Sequence, residues 1–166
     1  MELTQELLKE YVEYKDGSLY YIKIPKNDKR NKIGQKLGYT REDKYIAVNF
    51  LGKARKLHRL IFLYHHGYIP DEVDHINNDK SDNNIDNLRP ANRQQNMCNK
   101  KAYKTNTSGA KGVVWMKNLN KWLVNIGVNG KRKYIGIFED FELAELASIE
   151  ARNKYHGNFA NHGSLA

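Results

Sequence analysis

The sequence contains little cysteine and no long apolar run, and both scarcities exclude classes of protein. Cys98 is the only cysteine among 166 residues, so one chain can form neither a disulfide framework nor a cysteine-rich zinc site. Residues 1–10 hold no apolar run long enough for a signal peptide, and no later stretch approaches the length of a membrane span. We also find no long amphipathic basic helix of the kind that binds a membrane surface. We therefore expect a protein of the reducing cytoplasm with no membrane partner.

Acidic residues are scarce relative to basic ones, which favours a polyanionic partner. The chain has 28 Lys and Arg but only 19 Asp and Glu, giving a formal charge of +9 and a pI of about 9.5. Residues 1–100 carry a net charge of +4 and residues 101–166 carry +5, so the shorter C-terminal part is the more basic per residue. The length allows one ordinary domain or two small ones, and we predict two.

The first hundred residues read as short helices and strands around a polar segment. Residues 73–99 are dense in Asp and Asn, with Ile76, Ile85 and Leu88 as isolated apolar anchors, a pattern typical of a loop-rich site. The predicted elements are a helix over residues 3–14, strands over 19–24 and 45–50 in a small antiparallel sheet, and helices over 59–64 and 92–100.

The C-terminal part has a more regular pattern. Asn129-Gly130 between two β-rich runs is a strong hairpin signal. The predicted elements are strands over residues 112–116, 121–128 and 131–138 and a helix over 141–155, with Trp122, Ile126, Tyr134 and Phe138 packing on Ala144, Ala147 and Ala151. The chain is therefore predicted to be α+β, with domains at 1–100 and 109–166 joined by a linker at 101–108.

The polar segment carries an ordered set of residues. It contains Val73-Asp74-His75-Ile76-Asn77-Asn78-Asp79-Lys80, then Asn83-Asn84-Ile85-Asp86-Asn87-Leu88-Arg89-Pro90, then Gln94-Gln95-Asn96, and Leu57-His58-Arg59-Leu60 precedes it. Over roughly residues 19–99 the sequence resembles the HNH endonucleases, in particular the phage-type homing endonucleases. The resemblance implies a metal-binding fold of two strands and a helix, in a bacterial or phage-infected cell.

The same residues suit phosphodiester hydrolysis. The reaction needs a base for the attacking water, neutralisation of charge on the phosphate, and help for the departing 3′ oxygen. A histidine whose unperturbed pKa is near 6.5 can accept a proton at neutral pH, and we assign this role to His75. Mg²⁺, for which Mn²⁺ can substitute, prefers oxygen ligands, and Asp74 and the side-chain oxygen of Asn96 fit that demand.

The resemblance implies these same three roles and adds one more. Asn87 is the central residue that fixes the loop and the histidine. Because neighbours on a regular strand point to opposite faces, Asp74 and His75 can share a site only at a strand end or a distorted turn. Many HNH members have histidine where this chain has Asn96, and the amide weakens any claim for zinc or nickel.

Three other histidines have simpler interpretations. His58 is interpreted as a structural or substrate-positioning residue rather than a ligand. His65 and His66 lie beside Gly67 and are interpreted as surface or loop packing. None of the three is assigned to catalysis.

A second resemblance covers residues 108–163. The stretch Ser108-Gly109-Ala110-Lys111-Gly112-Val113, Trp122, Tyr134-Ile135-Gly136-Ile137-Phe138, Glu142-Leu143-Ala144 and His156-Gly157-Asn158-Phe159-Ala160 are similar to an AP2 DNA-binding domain. This implies a small three-stranded antiparallel sheet with one packed helix, whose outer face lies in the major groove of double-stranded DNA. The residues predicted to contact DNA are Lys111, Trp115, Lys117, Lys121, Asn125, Lys131, Arg132 and Lys133.

Together these patterns predict a metal-dependent DNA endonuclease of the homing type, acting as a monomer without an obligatory protein partner. One active site per chain favours nicking over cleavage of both strands. The alternatives are a non-catalytic AP2-type DNA-binding regulator, a structural or packaging protein, and a non-specific toxin-like nuclease. The presence of both Asp74 and His75 argues against the first two, and a dedicated targeting module argues against the third.

Overall fold

The computed structural model describes residues 3–26, 28–103 and 105–163. Within these ranges the chain forms helices and small antiparallel sheets, as the predicted α+β class requires, and it divides into an N-terminal unit, Met1–Asn92, and a C-terminal unit, Arg93–Ala166. The linker residue Lys104 and residues 164–166 of the predicted second domain lie outside the described residues. No helix formed by the described residues is long and apolar enough to cross a membrane.

The N-terminal unit consists of two helices and three small antiparallel sheets. The sheets pair β1 with β2, β3 with β4 and β5, and β6 with β7. In chain order the elements are α1 (Gln5–Tyr11), β1 (Val12–Lys15), β2 (Ser18–Tyr21), β3 (Tyr39–Thr40), β4 (Ile46–Phe50), β5 (Lys53–Lys56), α2 (Leu57–His66), β6 (Glu72–His75), a 3-10 helix (Ile85–Asn87) and β7 (Leu88–Ala91).

Two predictions for this unit need correction. The first helix ends at Tyr11 rather than at residue 14, because a turn at Asp16-Gly17 folds Val12–Lys15 back onto β2. The segment predicted to be loop-rich contains a regular strand pair, β6 and β7. Its few apolar side chains are sufficient because the pair needs only one buried side chain from each strand, Val73 and Leu88, to join the core.

The core of the N-terminal unit lies around α2. This helix places Leu57, Leu60, Ile61, Phe62 and Leu63 in one cluster, and each is at most 3% exposed. Burial of such a side chain contributes roughly 1.5–3 kcal/mol. Because Val73 of β6 and Leu88 of β7 belong to the same cluster, the core fixes the strand pair that carries Asp74 and His75.

The C-terminal unit is a helix followed by a three-stranded sheet with one packed helix. Strand order is β10-β9-β8, and the turn between β9 and β10 uses Asn129 (φ 52°) and Gly130 (φ 73°), as the hairpin signal predicted. The elements are α3 (Arg93–Asn99), β8 (Val113–Met116), β9 (Lys121–Val128), β10 (Lys131–Phe138), α4 (Phe141–His156) and a 3-10 helix (Gly157–Phe159).

The core of the C-terminal unit lies between this sheet and α4. Val113, Val124 and Ala144 are almost completely buried, with Trp122 and Phe138 packed beside them. Tyr134, predicted to join them, is 61% exposed. It pairs with Asn125, one position out of phase with Val124, so its ring lies on the face opposite the helix.

Candidate active site and nucleic-acid interface

Asp74 and His75 are the last two residues of β6, and the unit buries both. Asp74 is 5% exposed and His75 is 4% exposed. The strand ends at His75, where the backbone nitrogen of Ile76 donates to the carbonyl oxygen of Asn87 at 2.9 Å and Asn78 turns the chain with a φ of 62°. The pair therefore occupies a strand end, the location that the adjacent residues required.

The Asp74 carboxylate forms an ion pair across the two strands. Arg89 is its direct partner in β7 and donates to Oδ2 from Nε at 2.8 Å and from Nη2 at 2.7 Å. The side chains are 5% and 16% exposed, so both charges are largely removed from water. A buried charge of this kind needs a partner with good geometry, and Arg89 supplies it.

The His75 ring lies among an amide and two further rings. Its Nε2 is 3.0 Å from Oδ1 of Asn83, and its ring centroid is 4.9 Å from that of His58 and 6.1 Å from that of Tyr45. Burial lowers the pKa of His75 below its ordinary value, and the Asn83 hydrogen bond and the Asp74 charge partly oppose this shift. The ring is therefore neutral at neutral pH, which is the state a general base needs.

Asn87 ties the loop after His75 together. Its Oδ1 accepts from the backbone nitrogen of Asn77 at 3.0 Å, and its Nδ2 donates to Oδ1 of Asn77 at 3.0 Å and to the carbonyl oxygen of Asp82 at 2.8 Å. These contacts close the loop between β6 and β7.

Four residues near His75 were not singled out as functional by the sequence. Asn83 contacts His75 directly, and Tyr45 has the Nζ atoms of Lys56 and Lys80 at 4.0 and 4.5 Å from its ring centroid. Asn83 is one of several asparagines in the loop, and the other three come from separate elements, so no local pattern could have brought them together.

The remaining histidines differ in burial. His58 is 4% exposed, and burial together with the neighbouring His75 lowers its pKa to about 3, so it stays neutral and packs in the structure. His65 and His66 end α2 and are exposed, which agrees with their interpretation as surface residues.

The oxygen donors predicted for a metal fit a hard cation. Asp74 offers a carboxylate, whose two oxygens accept up to four hydrogen bonds or ligand contacts, so the Arg89 pair does not by itself prevent ligation. Asn96 lies on α3 in the C-terminal unit. Across residues 3–26, 28–103 and 105–163, no group of three or more His, Cys, Asp or Glu side chains is arranged to hold a metal ion. Any metal here would therefore rely on few protein ligands, as Mg²⁺ does.

The residues predicted to contact DNA lie on different sides of the C-terminal sheet. Trp115 pairs with Trp122, whose ring lies 4.9 Å from that of Phe141 in α4, so Trp115 faces the helix rather than outward as predicted. Lys133 is corrected in the same way, since its Nζ lies 4.8 Å from the ring centroid of Tyr155 in α4. Lys117 lies in the exposed turn between β8 and β9, Lys131 starts β10, and the outer face carries Lys121, Asn125 and Arg132, together with Val114, Leu123, Tyr134 and Ile137.

Lys111 is held inside the unit. Its Nζ donates to the carbonyl oxygens of Cys98 and Asn161, each at 3.1 Å, and to that of Lys100. Burial lowers the pKa of Lys111 to about 8. This lysine clasps the end of α3 to the segment before β8, which gives it a structural reason independent of DNA.

Acidic residues are segregated within the C-terminal unit. From residue 87 to residue 138 the sequence contains eleven Lys and Arg and no Asp or Glu. The five acidic residues of the unit all fall between Glu139 and Glu150, at the end of β10 and on α4. The three strands and the chain that precedes them therefore form its basic part.

Comparisons with known proteins agree with this geometry. Residues 55–98 match the HNH endonuclease family, a span that includes Asp74, His75 and Asn87 and supports a DNA endonuclease in general. HNH nucleases generally use a divalent metal ion. Protein 3.8 of Escherichia phage T7 is 33% identical over 112 residues, which cover 65% of this chain and 90% of that protein. No solved structure matches the chain significantly. The chain belongs to the family of phage T7 protein 3.8 and contains an HNH endonuclease domain.

Proposed function

We propose that the protein is a site-specific DNA endonuclease of the homing type, in which His75 is the general base and one divalent ion assists hydrolysis. The observation that carries the proposal is the buried, neutral His75 beside Asp74 within the matched HNH segment. Its ring accepts a proton from the attacking water, and general-base catalysis of this kind contributes about 10²- to 10⁴-fold to the rate.

The metal ligands proposed are the Asp74 carboxylate and the Asn96 amide oxygen, as the family resemblance implies. When bound there, Mg²⁺ or Mn²⁺ supplies neutralisation of charge on the phosphate and on the departing 3′ oxygen. Arg89 holds the Asp74 carboxylate in one orientation, and Asn87 holds the loop after His75. Lys56 and Lys80, beside Tyr45, offer positive charge for the phosphates of the substrate.

The C-terminal unit is proposed to bind double-stranded DNA as an AP2-like domain. Its long acid-free stretch supports attraction to phosphates, which dominates affinity for DNA. On the outer face of the sheet, Arg132 and Asn125 carry groups that can read base edges, and the aliphatic row formed by Val114, Leu123 and Ile137 can contact thymine methyl groups. Lys117, Lys121 and Lys131 are proposed as phosphate contacts.

The test is cleavage of supercoiled plasmids that carry phage and host DNA, with Mg²⁺ or with EDTA. Wild type and His66→Ala, a change at an exposed histidine, are expected to produce nicked or linear DNA only with Mg²⁺. His75→Ala is expected to be slower by about 10²- to 10⁴-fold while keeping its circular dichroism spectrum. If all three proteins bind these plasmids and none cuts them, the non-catalytic DNA-binding regulator replaces the nuclease.

A further inference from the structure

Asn83 contacts the His75 ring and is itself almost completely buried. The residue is 2% exposed, although its side chain is a polar amide. Its Oδ1 lies 3.0 Å from Nε2 of His75, and its Nδ2 donates to the carbonyl oxygen of Ser81 at 3.1 Å. Both polar ends of the amide therefore have a protein partner, and one of them is the proposed base.

These two contacts determine which nitrogen of His75 carries the proton. The Ser81 carbonyl oxygen can only accept a hydrogen bond, so the amide nitrogen of Asn83 must face it. The amide oxygen then faces His75 and can also only accept, so Nε2 must be the donor. A neutral imidazole has one N–H, and Nδ1 is consequently the nitrogen without a proton.

We infer that Asn83 is a positioning residue for hydrolysis: it holds His75 as the Nε2-protonated tautomer, so that Nδ1 accepts the proton of the attacking water. The inference rests on the proposed nuclease function for the identity of the reaction. As Nδ1 takes the proton, the water oxygen bonds to phosphorus, the bond from phosphorus to the 3′ oxygen breaks, and that oxygen takes a proton from solvent. One water is consumed, and His75 later returns its proton to solvent.

The backbone around Asn83 is held by the hairpin of β1 and β2. A Cβ added at Gly17, whose φ is +70°, would lie 3.1 Å from the backbone nitrogen of Asn84 and 3.3 Å from the carbonyl carbon of Asn83. The hydroxyl of Tyr14 accepts from the backbone nitrogen of Ile85 at 3.2 Å. The amide is thus fixed from a rigid element, as a residue that orients a reacting group requires.

The adjacent Asn84 provides a matched control. It is exposed, and its Oδ1 accepts from the backbone nitrogen of Asp86 at the start of the 3-10 helix. A general loss of loop order would follow from removing either asparagine, whereas loss of the tautomer would follow only from removing Asn83.

The experiment is long-range ¹H–¹⁵N NMR of the full chain with ¹⁵N-labelled histidine at pH 8, with His75→Gln to assign the signals, alongside kinetics of DNA cleavage. Wild type and Asn84→Ala are expected to show His75 protonated on Nε2. Asn83→Leu removes the acceptor, so both tautomers should appear and kcat should fall by about 10- to 100-fold with KM unchanged. Asn83→Asp retains an acceptor and should retain the Nε2–H tautomer.

A wild-type spectrum with His75 protonated on Nδ1 would overturn the inference without any variant, even if Asn83→Leu failed to fold. An Asn83→Leu variant that keeps both the tautomer and kcat would overturn it as well. If the wild type shows the Nε2–H tautomer but cleaves no DNA, the catalytic role falls together with the proposed function. Asn83 then remains the residue that fixes the tautomer.

Discussion

The two units of the protein treat polar side chains in opposite ways. In the N-terminal unit, the charged or polar His58, Asp74, His75 and Asn83 are each at most 5% exposed. In the C-terminal unit most lysines of the sheet are exposed, and their charges are not offset by acidic neighbours along the chain before Glu139. One unit encloses a few defined polar groups, and the other displays many similar charges.

The cores of the units explain this difference. Among the described residues, the N-terminal cluster contains fourteen buried apolar residues and the C-terminal cluster contains four. A large core can offset the cost of removing polar groups from water, and the enclosed groups then act strongly on one another. A surface that attracts phosphates needs no such enclosure, because exposed charges act through the summed field. Single substitutions should therefore have large effects in the first unit and small ones in the second.

The largest expected effect comes from the ion pair of each unit. Asp74→Ala leaves Arg89 with its charge largely buried, and loss of one partner of such a pair costs about 3–5 kcal/mol. In the C-terminal unit, Glu139 pairs with Lys121 at 2.9 Å, but the side chains are 83% and 42% exposed. Glu139→Ala should therefore change stability by less than about 1 kcal/mol. Urea unfolding followed by circular dichroism measures both, and equal effects would contradict the contrast between the units.

A smaller effect is expected from the acid sensitivity of His58. Its pKa is about 3 in the folded protein and near 6.5 when exposed, so between these values only the unfolded chain takes up the proton. Stability must then fall as pH decreases below 6.5. From pH 7 to pH 4.5, wild type should lose about 2 kcal/mol more unfolding free energy than His58→Phe, which keeps a ring against His75. Parallel losses in the two proteins would show that His58 is protonated in the folded state.

The sequence predicted the C-terminal elements better than the packing around them. The bounds of β9 and β10 were predicted correctly, because alternating β-rich runs and Asn129-Gly130 are local signals. The side on which Trp115 and Lys133 lie was not, because it depends on strand register and on a bulge between Tyr134 and Gly136. In the same way, the motif identified Asp74 and His75, but only the fold brings Asn83 and Tyr45 to them.

The smallest effects separate two lysines within the C-terminal unit. Lys111→Met preserves the length of the side chain but leaves three carbonyl oxygens without this donor, so stability should fall by about 1–2 kcal/mol. Lys117→Met removes an exposed charge and should change stability by less than about 0.5 kcal/mol. If Lys117 contacts a phosphate, its loss should reduce the slope of log affinity against log salt by about 0.9, whereas Lys111→Met should leave that slope unchanged. Urea unfolding and DNA binding at several salt concentrations measure both quantities, and a reduced slope for Lys111→Met alone would reverse the roles given to the two lysines.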